Sequence, residues 1–263
     1  MHAFKYHRPS NVNDASSLAK GDARLLAGGQ SLIAAMKLRL SKPSDLVDIG
    51  TIRDLSGIKA DGKAVTIGAM TRHAEVAASA AVKKAIPALA ALAGGIGDRM
   101  VRNMGTIGGS LANNDPAADY PAGVLGLGAT IVTNKRKIAA DDFIKGLYET
   151  ALGKGEIITS VSFPVSKRAA YMKFKNPASR YAIVGVFVAD FGSSVRVAVT
   201  GAGACAFRVA AMEKALAAKF APESVADIKV PEKGLNSDLH AKADYRAHLI
   251  TVMARRAVEA AMK

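Results

Sequence analysis

The first fifty residues alternate between short apolar strands and segments with helical spacing. A short helix fits Ala15 to Ala19, and a brief strand fits Arg24 to Leu26. Apolar residues then recur every fourth position from Ser31 to Leu40, which predicts an amphipathic helix that Pro43 ends. Because another strand follows at Leu46 to Ile49, this segment predicts an alternating α/β subdomain.

Strands and helices continue in mixed order through the middle of the chain. Pro87 suits the first turn of a helix that reaches about Ala93, because the N–H group that proline lacks has no helical partner there. Residues 102–121 are rich in glycine and polar residues, and they predict a long loop. Further patterns predict strands at Ala64 to Ala69, Val124 to Val132 and Ile157 to Phe163, and a helix at Thr71 to Ala81.

The chain after Pro164 has a different pattern. The polar residues Ser166 to Arg168 predict a linker between domains at 1–165 and 169–263, the first divided at about residue 55. Beyond this linker, two strands joined by a glycine-serine turn predict a hairpin, and helices follow, which makes the fold class α+β. The strands are Ala182 to Phe191 and Val195 to Thr200, and the helices are Ala210 to Phe220 and Asp244 to Met262.

The composition excludes several classes of protein. Half of the 263 residues are hydrophobic, which is enough for a sizeable core. The longest apolar run, Tyr181 to Ala189, is far shorter than the ~20 residues that cross a bilayer. The first ten residues lack the apolar region of a secretory signal, so we expect a cytoplasmic location.

The single cysteine, Cys205, restricts the chemistry further. One thiol cannot form an internal disulfide, a four-cysteine zinc site or a protein-ligated iron–sulfur cluster. The five histidines show no metal-ligand spacing, and no side chain stands out as a general acid or base. Redox chemistry in this chain would therefore require an organic cofactor.

The formal net charge of +14 raises the question of nucleic-acid binding. The excess lies mostly in residues 166–263, which contain 16 basic and 8 acidic residues. The chain has no long basic block and no tryptophan, and only 5% of its residues are aromatic, so few side chains could stack on bases. The charge therefore favours a surface that serves a partner, an acidic ligand or solubility over one that binds nucleic acid.

A first glycine loop consists of Ala27, Gly28, Gly29, Gln30 and Ser31, directly between a predicted strand and a predicted helix. Adjacent glycines allow the backbone to approach an anion closely, and a helix N-terminus offers unpaired N–H groups. A phosphate would fit there. Taken alone, the motif is explained slightly better by a tight turn in which Ser31 caps the helix.

A second glycine loop lies within residues 102–121 and combines glycines, hydroxyls, asparagines and aspartates. Such a stretch offers donors for a pyrophosphate and carboxylates for sugar hydroxyls. Its apolar residues Ile107 and Leu111 predict a buried segment rather than a surface loop. Two such loops in one domain predict a dinucleotide or nucleotide pocket.

A third glycine motif, Gly201 to Ala206, fits the dinucleotide fingerprint G-x-G-x-x-A, and Glu223 follows at a suitable distance for a ribose carboxylate. The strands before it predict a hairpin rather than a βαβ unit, however. We therefore interpret this motif as a structural turn.

Four segments of the chain together carry a family resemblance. They are AGGQSLIAAMKLRL (27–40), IGAMTRHAEV (67–76), GIGDRMVRNMGTIGGSLANNDPAADYPA (95–122) and YRAHLITVMARRAVEAA (245–261). They resemble the FAD-binding medium subunit of the molybdenum hydroxylases, a family that includes carbon monoxide dehydrogenase and xanthine dehydrogenase. The resemblance covers nearly the whole chain in order. It implies a two-part FAD-binding domain of the vanillyl-alcohol-oxidase (PCMH) type, followed by a small C-terminal domain.

The resemblance also implies where FAD binds. The first loop would hold the pyrophosphate through backbone N–H groups, and Gly105 to Ser110 would line the other side of the phosphates and the ribitol. Asp119 would accept hydrogen bonds from cofactor hydroxyls, and Ile96 would pack on the cofactor. The full set implied is Ala27, Gly28, Gly29, Gln30, Ser31, Ile96, Gly105, Thr106, Ile107, Gly108, Gly109, Ser110, Asp119, Ile158, Lys173 and Tyr181.

Three of these residues have simpler alternatives. Ile158 could be strand core, Lys173 a solvated surface charge, and Tyr181 a strand aromatic rather than a neighbour of the isoalloxazine. The chain also departs from many relatives, with Arg99-Met100 where they have Pro-Gln and Arg72 where they have threonine. Both departures leave the glycine loops intact and affect only the expected surroundings of the flavin.

The function that the resemblance implies is electron transfer within a complex. A large subunit with a molybdenum cofactor would oxidise the substrate, a small subunit with two [2Fe–2S] clusters would carry electrons, and FAD in this chain would pass them to an external acceptor. A dimer of heterotrimers is the expected assembly. A free-standing flavin oxidase of the same fold and a nucleotide- or nucleic-acid-binding module are alternatives, and neither substrate nor acceptor follows from the sequence.

Overall fold

The computed structural model describes residues 1–263 and contains four β-sheets surrounded by helices. The first sheet is parallel, and its elements are β1 (Lys5–His7), α1 (Val12–Leu18), β2 (Arg24–Leu26), α2 (Leu32–Lys37) and β3 (Asp45–Asp48). The strand order is β1-β3-β2, with α1 connecting β1 to β2 and α2 connecting β2 to β3, the crossover connections that parallel strands require. This confirms the predicted alternation. Helix α2 ends before the predicted Leu40, because Arg39 has a left-handed φ of +62°.

The second sheet is antiparallel and has five strands in the order β4-β5-β10-β6-β7. It packs with short helices around the largest core, in which Ile67 and Val161 are fully buried. The strands are β4 (Ile58–Ala60), β5 (Ala64–Gly68), β6 (Thr130–Thr133), β7 (Lys137–Ala139) and β10 (Ile158–Pro164), and a separate two-stranded hairpin consists of β8 (Ile144–Gly146) and β9 (Glu149–Thr150). The helices are α3 (His73–Ala78), α4 (Ala80–Ala85), α5 (Pro87–Gly94), α6 (Arg99–Met104), α7 (Ile107–Asn113), α8 (Tyr120–Gly126) and α9 (Ala140–Phe143).

Three predictions for this region are wrong in detail. The helix predicted from Thr71 to Ala81 is two helices, because Ser79 leaves helical geometry and its hydroxyl caps α4 at the Val82 N–H. The strand predicted from Val124 begins only at Thr130, since Val124 to Gly126 are the last residues of α8 and a turn follows. The loop predicted for residues 102–121 folds largely into α6, α7 and the start of α8. Glycine weakens a helix in isolation, but here close packing of the glycines compensates.

The remaining residues form a four-stranded antiparallel sheet covered by helices. The predicted hairpin and the last long helix are confirmed, and Val165 to Lys167 separate this sheet from β10. The elements are β11 (Arg168–Lys175), β12 (Ala182–Asp190), β13 (Val195–Thr200), β14 (Phe207–Arg208), α10 (Ala210–Ala218), α11 (Glu223–Ala226) and α12 (Ala243–Ala261). No helix combines the length and apolar character needed to span a membrane.

The interpretation of the third glycine motif as a structural turn is also confirmed. Gly201 follows β13, has a φ of +83° and lies against the backbone of Ala182 and Ile183. No helix begins within the motif. The motif connects β13 to β14 of the same antiparallel sheet and is not the turn of a βαβ unit.

Candidate functional site

The first glycine loop connects β2 to α2 and leaves its backbone donors free. None of the four N–H groups from Gly28 to Ser31 donates a hydrogen bond to another protein atom. Gly29 has a φ of +72°, a conformation that glycine adopts without strain. Ser31 stands at the N-cap position of α2 but makes no side-chain capping bond, so its hydroxyl is free as well.

The two predicted glycine loops meet. A Cβ atom at Gly28 would overlap the carbonyl oxygen of Met104 and crowd Gly105. A Cβ atom at Gly109 would lie 3.5 Å from the Cβ of Ala27. The tertiary structure therefore brings residues 27–31 and 104–109 into direct contact, with glycines on both sides of the junction.

The second glycine loop uses its own donors within the protein. The N–H groups of Ile107 and Gly108 donate to the carbonyls of Thr71 and Ala69, at 3.2 and 2.8 Å. The Thr106 hydroxyl caps α7 by accepting from the Gly109 N–H at 3.2 Å. Residues 105–108 are buried, and only Gly109 and Ser110 are partly exposed. The prediction that Ile107 and Leu111 make this segment a buried one is confirmed.

His73 lies directly beneath the second loop. The backbone N–H of His73 donates to the Gly105 carbonyl at 3.0 Å, and a Cβ atom at Gly105 would crowd the His73 ring. The ring centroids of His73 and Tyr120 are 5.3 Å apart, and neither His73 Nδ1 nor the Tyr120 hydroxyl has a hydrogen-bond partner. Burial, together with nearby Arg102, lowers the pKa of His73 to about 4, so its imidazole is neutral at pH 7.

Asp119 and Lys173 form an ion pair. The Lys173 Nζ atom lies 2.9 Å from Asp119 Oδ1, and their side chains are 9% and 4% exposed. The hydroxyl of Tyr171 also donates to Asp119 Oδ1, at 2.5 Å. Burial raises the pKa of Asp119, while Lys173 and Tyr171 oppose that shift. The alternative that Lys173 is a solvated surface charge is therefore wrong.

The glycine turn around Ile96 lies next to the Asp119–Lys173 ion pair. Lys173 Nζ donates to the Gly95 carbonyl at 2.9 Å, which ties this turn to the ion pair. Arg102 donates to the carbonyls of Ile96 and Gly97 at 2.9 and 3.0 Å. The Ile96 side chain packs against the large core. Lys173 thus links the Ile96 turn to Asp119.

The last two predicted residues have different surroundings. Ile158 is 5% exposed in the core at the start of β10, and the neighbouring Thr159 carbonyl accepts from Ala69, which supports α7. Tyr181 is partly buried and packs edge-on against His240, with ring centroids 5.9 Å apart. The Ala182 N–H that follows it donates to Ala117 at 3.3 Å, so Tyr181 adjoins the segment that leads to Asp119.

These residues fit a flavin dinucleotide. Gly28 to Ser31 present four unpaired N–H donors, which suit phosphate oxygens. Asp119 Oδ2 accepts no hydrogen bond from the protein, which suits a sugar or ribitol hydroxyl. The chain thus offers donors for the anionic part of the cofactor and an acceptor for its hydroxyl part.

Comparison with known proteins points to the same cofactor. Residues 2–166 match the family described as the FAD binding domain in molybdopterin dehydrogenase. This chain belongs to that family. The predicted FAD-binding α+β fold and the predicted cofactor are therefore confirmed.

Individual relatives of this FAD-binding family match over nearly their whole length. The carbon monoxide dehydrogenase medium chain of Hydrogenophaga pseudoflava is 35% identical, over 98% of this chain and 96% of the relative. The nicotine 6-hydroxylase medium subunit of Paenarthrobacter nicotinovorans is 36% identical, over 97% and 96%. A chain of reconstituted CO dehydrogenase from Oligotropha carboxidovorans superposes with a TM-score of 0.90 at 35% identity, covering 99% and 98%.

Sequence reasoning missed three polar residues of the candidate site. His73 donates to the second loop, and Arg102 donates to the Ile96 turn. The third, Tyr171, donates to Asp119. A signal for Tyr171 was present, because alternate residues of a strand share a face. Tyr171 and Lys173 are two apart in β11, so both reach Asp119. No comparable local pattern marks His73 or Arg102.

Proposed function

We propose that this chain carries FAD and passes electrons from the iron–sulfur clusters of a partner subunit to an external acceptor. The medium chains and subunits to which it is similar belong, by name, to dehydrogenases and hydroxylases that act on carbon monoxide and nicotine. When bound, FAD supplies chemistry that no side chain here offers, because a flavin accepts and releases one or two electrons. The protein supplies binding and orientation.

The observation that carries the proposal is the unpaired backbone of the first glycine loop. Consecutive N–H groups at Gly28 to Ser31 can donate to a pyrophosphate, and the left-handed Gly29 aims them without a side chain in the way. The free Ser31 hydroxyl adds one more donor. These groups and Ala27 form the proposed phosphate site.

The other predicted residues complete the proposed cofactor site. Gly109 and Ser110 lie on the accessible side of α7, and Gly105 to Gly108 fix the backbone behind them. Asp119 would bind a cofactor hydroxyl with Lys173 as its counter-ion. Ile96, Ile158 and Tyr181 would provide apolar contacts, with Tyr181 close to the isoalloxazine ring.

The assembly we propose is a complex with a small iron–sulfur subunit and a large molybdenum subunit, arranged as a dimer of heterotrimers in the cytoplasm. Its support in this chain is the single cysteine, since the clusters need thiolates that only another chain can provide. We also propose that residues 1–165 form the FAD domain and 169–263 the C-terminal domain.

The first experiment is an FAD titration of the purified full-length chain, followed by visible absorption after gel filtration. We expect stoichiometric flavin bands, and a chain that never retains FAD would contradict the proposal. The second experiment mixes the loaded chain with its co-purifying subunits and the substrate of the complex. Flavin reduction should require the partner subunits. Turnover of an organic substrate by this chain alone would favour the free-standing oxidase instead.

A further inference from the structure

The two oxygens of the Asp119 carboxylate have unequal surroundings. Oδ1 accepts from the Tyr171 hydroxyl at 2.5 Å and faces Lys173 Nζ at 2.9 Å. Oδ2 accepts from no protein group. The carboxylate is therefore held by one oxygen, and the other is available to a ligand.

Tyr171 is built to reach this carboxylate. Its ring stacks on Phe187 of the neighbouring strand, with centroids 6.2 Å apart and planes at 28°. Its hydroxyl lies over Gly185, where a Cβ atom would overlap it. Glycine at position 185 thus leaves the space in which the Tyr171 hydroxyl meets Asp119.

Lys173 alone would hold the carboxylate less firmly. Its Nζ atom also donates to the Gly95 carbonyl, so its position is shared between two acceptors. The terminal torsion of an aspartate is broad, and a second donor with fixed ring geometry narrows it. Tyr171 is that donor, since its ring stacks on Phe187, its partner in the β11–β12 register.

We propose that Tyr171 is a positioning residue for the cofactor: by occupying Oδ1 of Asp119 together with Lys173, it directs Oδ2 toward a hydroxyl of the flavin dinucleotide. This inference rests on the proposed function. It assigns Tyr171 a role through Asp119, with no contact of its own to FAD.

The test compares two tyrosine-to-phenylalanine variants of the full chain by FAD titration of the apo protein. Tyr171→Phe should raise the Kd for FAD about tenfold, because a hydrogen bond to a charged group is lost. The matched control is Tyr148→Phe, whose hydroxyl also faces an aspartate, Asp115 Oδ2 at 3.3 Å, but at an exposed hairpin. The control should change the Kd less than twofold.

A double-mutant cycle separates positioning from mere structural support. In an Asp119→Asn background, Tyr171→Phe should change the Kd less than twofold, because the group it positions is already altered. In addition, the pH at which FAD affinity is lost should move upward in Tyr171→Phe, because the variant removes a donor that keeps Asp119 ionised. Additive effects in the cycle, or an unmoved pH profile, would overturn the inference.

Folding and the proposed function are controlled separately. Thermal melting of each apo variant shows whether it folds. If Tyr171→Phe does not fold, Gly185→Ala provides a second variant, because its Cβ atom displaces the Tyr171 hydroxyl. If the native chain and Tyr171→Phe bind FAD with equal affinity, this inference alone is refuted. Native chain that binds no FAD refutes both this inference and the proposed function.

Discussion

The two glycine loops look alike in sequence and do different work in the structure. Gly28 to Ser31 leave four backbone donors free, whereas the N–H groups of Ile107, Gly108 and Gly109 all donate to protein oxygens. In the first loop, glycine permits a left-handed turn that presents donors. In the second, Gly108 permits helix α7 to pack against Ala69, and Gly105 permits close contact with the His73 ring. A glycine-rich sequence therefore indicates that another group packs closely against the backbone. Whether the backbone N–H groups already have protein acceptors distinguishes a loop that is free to bind a ligand from one that is packed within the protein.

The largest expected effect is the loss of FAD affinity when the first glycine loop is altered. Gly29→Val should weaken FAD binding at least ~100-fold, because the β-branched side chain opposes the left-handed backbone that aims the donors. The measurement is FAD titration of the apo chain. Gly21→Val is the matched control, since Gly21 has a φ of +57° with open space around it. Equal losses of affinity in both variants would contradict the role of the first loop.

The next effect concerns His73 beneath the second loop. Its pKa is about 4 in the folded chain, below the value of ~6.5 in the unfolded chain, so the unfolded state takes up a proton first as the pH falls. The contribution of His73 to the free energy of unfolding should therefore decrease between pH 6.5 and 4, by up to about 3 kcal/mol, and then level off. Urea unfolding at pH 7, 5.5 and 4 measures it.

His73→Gln isolates this contribution. The variant lacks the imidazole, so its stability should depend less on pH over the same interval than that of the native chain. Superimposable pH profiles for the two proteins would show that His73 does not stay neutral under the loop.

A smaller effect separates packing from binding. Gly108→Ala should lower the free energy of unfolding by about 2 kcal/mol, because its Cβ atom would overlap Ala69. Gly94→Ala in α5 is the control, since its Cβ atom would meet only the Ala77 methyl at 3.7 Å and alanine favours a helix. If Gly108→Ala melts at the native temperature, the second loop is not the tightly packed element described above.

The smallest effect compares the two capping positions. Thr106→Ala should cost about 1 kcal/mol of stability, because the hydroxyl caps α7. Ser31→Ala should change stability by less than ~0.5 kcal/mol, since the Ser31 side chain makes no capping bond. Chemical denaturation of the apo variants measures both, and a cost at Ser31 equal to that at Thr106 would remove the distinction.

The accuracy of the sequence predictions follows the range of the interactions involved. Hairpin β12–β13 and helix α12 were predictable, because apolar strand segments, a glycine turn and helical spacing are local signals. The break at Ser79 and the helices within residues 102–121 were not, because caps and distant packing partners decide them. Glycines at 108 and 109 oppose a helix locally, and contact with Ala69 and Ala27 outweighs that preference.

The sequence by itself determined the fold class and the two glycine loops, and its single cysteine excluded a protein-ligated iron–sulfur cluster within this chain, because composition and motif spacing are properties of the chain alone. Only the tertiary structure decided that the loops touch, that the first keeps its donors free, and that Asp119 is shared by Lys173 and Tyr171. These contacts join residues more than fifty positions apart. Their geometry depends on how sheets and helices pack, which no local pattern records.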